Sequence, residues 1–140
     1  MIRRSVFEEL GWFDERYFFT PEDIALSTVA RARNYAVYVD ARVSVTHFHH
    51  QSARRIVSAT KPAGMRGFLM FYARGSAFRY AVLGVFVWLA EWLKYLICSF
   101  RCLFSGKEKL RIRKQTYAHC LCSIFTRKSP KEIFIKYYAR

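Results

Sequence analysis

Residues 79 to 101 read RYAVLGVFVWLAEWLKYLICSFR, and the only charged side chains between the two terminal arginines are Glu91 and Lys94. A helix needs about 20 predominantly apolar residues to span a bilayer. Each charge near the centre of such a helix costs roughly 2.5 to 3.5 kcal/mol on insertion scales. The stretch therefore predicts a long helix whose length allows it to span a bilayer but whose central charges disfavour spanning.

The polar residues of this region recur at a helical spacing. They lie three or four positions apart and share one face: Glu91, Lys94, Cys98, Arg101 and Ser105. An apolar helix with one polar face is typical of a helix that lies in the membrane interface. A basic cluster follows, made of Lys107, Lys109, Arg111, Arg113 and Lys114. Such a cluster suits a membrane surface with anionic lipids, at about 1 kcal/mol per charge. The alternative is a solvated helix face that packs on a partner.

The net charge is distributed unevenly along the 140 residues. Residues 1 to 50 carry six Arg and Lys against seven Asp and Glu, whereas residues 51 to 140 carry eighteen against three. A basic region with interleaved aromatic residues also raises the alternative of a non-catalytic basic module that binds either a membrane surface or nucleic acid. Because the basic residues flank an apolar run instead of forming an open charged stripe, we expect no nucleic acid among the partners.

The first fifty residues carry the signals of a mixed α/β structure. A short helix from Ser5 should end at Gly11, which adopts the left-handed conformation of helix ends without strain. Thr20 and the following Pro-Glu-Asp predict a capped helix start, and this helix should run to about Arg33, with Asn34 as its stop.

Valines at positions 37, 39, 43 and 45 alternate with polar residues, which predicts a strand that ends at His47. The predicted fold class is therefore α/β over residues 1–52, with short helix, loop, helix and β-strand. A linker over 53–67 and a basic, amphipathic, membrane-associating helical region over 68–140 complete the predicted organisation.

The four cysteines lie in the C-terminal half, and reduced thiols are the default interpretation. His119, Cys120 and Cys122 raise the alternative of a metal site, but their spacing matches no common zinc pattern.

Residues 11 to 26, GWFDERYFFTPEDIAL, form what we call the acidic segment. Acids at a helix N-terminus, such as Glu22 and Asp23, stabilise the helix by about 0.3 to 1 kcal/mol each. An ionised carboxylate held in a cleft could also take a proton from an attacking hydroxyl. The two interpretations are compatible, since a position at the helix start also holds the side chain in space.

The ordered series IRR, VF, GxFDExxFF, ED and HxxxxS over residues 1–52 resembles the acceptor-side half of family 2 glycosyltransferases, particularly bacterial rhamnosyltransferase-like members with a GT-A fold. The resemblance implies that Asp23 is the catalytic base of an inverting transfer and that Glu22 supports it. It further implies that Asp14, Glu15 and Phe18 bind the acceptor. It places His47 near the diphosphate and its metal.

The same resemblance implies a nucleotide-sugar donor and a divalent cation, Mg²⁺ or Mn²⁺, in the complete enzyme. The nucleotide-binding half with its Asp-x-Asp motif does not occur in this sequence. We therefore expect a truncated or split enzyme that is inactive alone and that needs a separate N-terminal half. Its expected role is sugar transfer to a saccharide or lipid-linked acceptor in cell-surface polysaccharide synthesis, at the cytoplasmic face of the inner membrane.

Overall fold

The computed structural model describes residues 1–46 and 56–139 and folds them into six helices. They are α1 (Arg4–Glu9), α2 (Glu22–Ala32), α3 (Val57–Ala73), α4 (Ala77–Phe104), α5 (Glu108–Ile124) and α6 (Pro130–Tyr138). Helices take up 68% of the described residues, and no strand occurs among them.

The predicted α/β fold class is therefore wrong, and the error lies in residues 37 to 46. This stretch is irregular, and Val39 and Val45 are 94% and 83% exposed. Asp40 and Arg42 close a turn inside it, where the Asp40 Oδ1 atom accepts from the Arg42 backbone N–H at 3.0 Å. A β-strand needs a neighbouring strand for its backbone groups and a surface for its apolar side chains. Among the described residues neither lies beside this segment.

Helix α3 is the centre of the helical packing, because it contacts α4, α5 and α6. Its Ala59 and Ala63 are buried against Ile133 and Tyr137 of α6. Small side chains on α3 let the helices approach closely, and the large apolar groups of α6 fill the space. The described part of the predicted linker, residues 56–67, thus lies at the start of α3 and contributes to the core.

Pro62 lies inside α3 and is buried, although proline cannot donate a backbone hydrogen bond. The carbonyl four residues earlier, that of Ser58, therefore lacks its helical donor. The ring of His119 on α5 supplies one, since its Nδ1 atom lies 2.9 Å from the Ser58 oxygen. The same ring stacks on Tyr137 with 3.8 Å between centroids. His119 thus joins α5 to α3 and α6.

The predicted N-terminal helices are confirmed, as α1 and α2. Gly11 and Asn34 follow their ends with φ of 84° and 62°, in the left-handed conformation expected of a helix stop. The predicted cap of α2 is wrong, because Pro21 is the N-cap residue and no side chain caps it. Thr20 lies against α3 instead. A Cβ atom added at Gly67 would lie 2.3 Å from the Thr20 backbone oxygen.

We expect Gly67→Ala to loosen the acidic segment from α3. The added methyl group meets a backbone atom, which cannot rotate away. Overpacking costs about 1 to 3 kcal/mol, and the better helix propensity of alanine returns about 1 kcal/mol. The net loss should be up to about 2 kcal/mol in the free energy of unfolding, measured by urea denaturation. Proteolysis within residues 11–20 should become faster.

The matched control is Gly106→Ala, where an added Cβ has no neighbour within 4 Å among the described residues. If both variants unfold at the same urea concentration, the contact between α3 and Thr20 does not hold the segment.

Candidate functional site

Helix α4 turns Glu91 and Cys98 toward the protein and most of its large apolar residues outward. Gly84, Glu91 and Cys98, spaced seven apart, are its buried residues. The opposite side consists of exposed large apolar residues, which we call the apolar face. They are Phe78, Val82, Val85, Phe86, Leu89, Trp92, Leu93, Leu96, Ile97, Phe100, Leu103 and Phe104. The face follows the whole helix, which is about 42 Å long at 1.5 Å per residue.

A charged cluster joins α4 to α3. The Glu91 carboxylate, whose side chain is 6% exposed, accepts from Lys61 at 2.6 Å and from Lys94 at 2.7 Å. The Lys61 ammonium also lies over the Tyr117 ring of α5, 4.3 Å from its centroid. Helices α3 and α4 thus meet at one carboxylate, and α5 contacts the same cluster through Tyr117. The negative charge of Glu91, on the inward side of α4, is therefore compensated within the protein. The outward side of the same helix is the apolar face.

The two lysines also set the protonation of Glu91. Burial opposes ionisation and would raise the pKa of this carboxyl, but the hydrogen bonds from Lys61 and Lys94 outweigh burial and hold the pKa below its ordinary value of 4.5. Glu91 is therefore ionised at neutral pH. Its carboxylate acts as the counter-ion of the two ammonium groups.

A cleft of about 1360 Å³ opens between α3, α4 and α5. Its lining is mostly apolar and includes Met65, Phe68, Leu69, Leu83, Val87 and Ile112. Its charged residues are Lys61, Glu108, Lys109 and Arg113. Phe19 and Thr20 of the acidic segment line it as well. The volume exceeds the range of about 300 to 1000 Å³ that small-molecule sites usually have.

A second, smaller cavity of about 430 Å³ lies between the end of α4 and the start of α5, and we call it the basic cavity. Its charged lining residues are Arg101, Lys107, Lys109 and Arg113, and no acidic residue of the described chain lines it. Phe100 and Phe104 of the apolar face complete its wall. Lys109 and Arg113 also line the cleft, so the two cavities adjoin.

The predicted catalytic residues lie in the first turn of α2. Asp23 is exposed, and its Oδ1 atom accepts from the Ile24 backbone N–H at 2.8 Å. Glu22 is half-buried, and its Oε2 atom is buried with no hydrogen-bond donor among the described residues. Both acids thus occupy the stabilising end of the helix dipole. Neither lines the cleft.

The predicted acceptor-binding residues precede α2 and do not converge on one point. Asp14 binds Arg16, with the Oδ2 atom 2.6 Å from the guanidinium, and this hydrogen bond holds the pKa of Asp14 below its ordinary value. Glu15 is exposed. Phe18 packs on Phe134 of α6, 5.2 Å between centroids, and so attaches the acidic segment to the core.

The metal implied by the resemblance has no built site in the described chain. His47 lies outside the described residues, and no group of three His, Cys, Asp or Glu side chains is assembled within residues 1–46 and 56–139. The alternative metal site at His119 and Cys120 does not fit either. The buried Cys120 and the exposed Cys122 do not form a metal-holding group with His119 in the described chain, and burial raises the pKa of the Cys120 thiol to about 12, which disfavours the thiolate that binds metals.

The most informative site residue that the sequence interpretation missed is Lys61, which lies in the predicted linker over 53–67. A signal for it existed, because a buried glutamate in an apolar helix requires a cationic partner. Lys94 on the same helix was an apparent candidate. The structure shows that the carboxylate also takes a second partner from α3.

Comparison with known proteins returned no matching family model, no matching curated protein and no matching solved structure. The class of this protein is accordingly defined by its own fold and surface. The described chain is an all-helical domain that presents one long apolar helix face, with a cleft behind it and basic residues at one end.

Proposed function

We propose that this chain binds the surface of a membrane with anionic lipids through the apolar face of α4. The observation that supports this proposal most strongly is the run of twelve exposed large apolar side chains along one helix. Soluble monomers rarely expose contiguous apolar patches of this kind. Arg101, Lys107 and Lys109 at the end of the face suit the negatively charged head groups of a bilayer.

The packing of α5 favours a helix that lies on the bilayer over one that crosses it. By length and composition, α4 is the one helix of the described chain that could span a membrane. However, α5 packs against α4 and carries Lys109, Arg111, Arg113 and Lys114. Spanning would draw these charges into hydrocarbon at roughly 2.5 to 3.5 kcal/mol each. An interfacial position leaves them at the head groups.

The test is flotation of the protein with vesicles of phosphatidylcholine and phosphatidylglycerol. We expect co-flotation at low salt and weaker binding at high salt, because screening removes the head-group attraction but not the apolar contact. Binding should also fall in vesicles of phosphatidylcholine alone. If the protein stays in the soluble fraction with anionic vesicles at low salt, the proposal is wrong.

We also propose that the acidic segment is the acceptor side of a family 2 glycosyltransferase, whose complete catalytic domain also binds a nucleotide-sugar and a divalent cation. The ordered motifs in residues 1–52 support this role. The close seating of Thr20 on α3 and of Phe18 on α6 supports it as well, since a substrate-positioning segment must be held rigidly. Asp23 is exposed and lines neither the cleft nor the basic cavity, so in this proposal the nucleotide-binding half of the complete enzyme would close the acceptor pocket around it.

The test combines this chain with a nucleotide-binding half from a family member and measures transfer from a panel of nucleotide-sugars to lipid-linked saccharides. Asp23→Asn should abolish transfer, because an amide cannot accept the acceptor proton. Asp40→Asn, the same chemical change outside the acidic segment, should retain it. Equal transfer by both variants would exclude Asp23 as the base.

A further inference from the structure

The basic cavity and the cleft adjoin at Lys109 and Arg113, which line both. These residues are four positions apart on α5 and therefore share one helical face. On one side of them lie Arg101 and Lys107. On the other side lies the long, mostly apolar cleft. A ligand that extended from one cavity into the other would contact cationic side chains at one end and apolar side chains at the other.

The charge of the basic cavity indicates the head group that it would take. Four cationic side chains surround about 430 Å³, and no ion pair within the described residues joins any of them to a carboxylate. A phosphodiester brings one negative charge. A terminal phosphomonoester brings up to two charges and three outward oxygens, which match the bidentate donors of Arg101 and Arg113.

The cleft indicates the rest of the ligand. Leu83 and Val87 form its α4 wall, on the same helix whose outer side is the apolar face. A hydrocarbon chain placed there would cover apolar surface, at about 0.8 kcal/mol for each buried CH₂ group. Glu108 lines the cleft but not the basic cavity, so its carboxylate makes no direct contact with a phosphate held there.

We propose that the two cavities together bind one lipid with a terminal phosphomonoester, with the phosphate among the four cations and the acyl chain in the cleft. This inference rests on the proposed membrane association and concerns which lipid is recognised, not sugar transfer. This binding would give α5 a contact that selects the lipid head group. The apolar face of α4 would contact the membrane without selecting a lipid.

The first experiment compares vesicles that contain phosphatidate with vesicles that contain phosphatidylglycerol, at matched surface charge. We expect about tenfold tighter binding to phosphatidate, as one additional charged hydrogen bond would provide. The double variant Lys109→Gln/Arg113→Gln should lose this preference. The control Arg111→Gln/Arg127→Gln removes the same charge from positions that line neither cavity and should keep it.

The second experiment measures thermal unfolding with soluble probes. Monomeric dodecyl phosphate should raise the unfolding temperature, whereas inorganic phosphate at the same concentration should not, because it lacks the chain. Ile112→Trp, which fills the cleft, should remove the effect, and Ile135→Trp on the outer side of α6 should not.

The outcomes separate the two proposals. Loss of binding to all anionic vesicles would overturn the membrane association itself. Binding without preference for phosphatidate, a preference that survives in Lys109→Gln/Arg113→Gln, or equal effects of dodecyl phosphate and inorganic phosphate would overturn the lipid site alone.

Discussion

Replacing Leu89 and Leu93 together by Gln is expected to weaken binding to anionic vesicles by about 100-fold without lowering the stability of the protein in solution. Both side chains lie near the middle of the apolar face and are 49% and 56% exposed. Each leucine that enters an apolar phase contributes on the order of 1.5 kcal/mol. Two of them contribute about 3 kcal/mol, which corresponds to about 100-fold in the partition constant.

The substitutions leave the net charge unchanged, so the attraction of the basic residues to the head groups stays the same. Glutamine is also a good helix former, and the exposed side chains contribute little to the core. The matched control is Ile24→Gln/Ile135→Gln, two exposed apolar residues on α2 and α6. Vesicle titration followed by tryptophan fluorescence measures the partition constant. If both double variants bind equally, the apolar face is not the membrane contact.

Glu91→Gln is expected to lower the free energy of unfolding by about 2 to 3 kcal/mol at neutral pH. The amide leaves the Lys61 and Lys94 ammonium groups without their shared counter-ion. Breaking a fully buried ion pair costs more, but both lysines are partly exposed, so water compensates part of the loss. The control is Glu8→Gln, whose exposed pair with Arg4 should contribute less than about 1 kcal/mol.

The pH dependence provides an independent readout of the same carboxylate. The folded-state pKa of Glu91 lies below its ordinary value of 4.5. Its contribution to stability is therefore fully present above pH 4.5 and is lost as the pH falls through the folded-state pKa. The difference in unfolding free energy between the native protein and Glu91→Gln should shrink on acidification. A constant difference across this range would show that the charge of Glu91 does not stabilise the fold.

The limits of sequence interpretation are clearest in residues 37 to 46. The alternation of valines is real, but period-two alternation predicts a strand only where a second strand and an apolar layer are available. Neither is present beside this segment in the described chain, and Val39 and Val45 are exposed. The helix ends at Gly11 and Asn34 were predictable because each depends on the conformation of one residue.

The candidate site was predictable only in part. The basic cluster after α4 was visible as a run of charges, yet its distribution between two cavities depends on how α5 packs against α3 and α4. The acidic segment was visible as a motif. That Thr20 lies on Gly67 of α3 and Phe18 on Phe134 of α6 could not be read from it, because these contacts join residues far apart in the chain.

The sequence by itself determined that residues 79 to 101 form a long apolar helix with one polar stripe, because that pattern depends only on the 3.6-residue period of the helix. It did not determine which side of this helix packs inward. The tertiary structure decided that, since Lys61, thirty positions before Glu91, compensates the buried carboxylate and leaves the apolar residues outside.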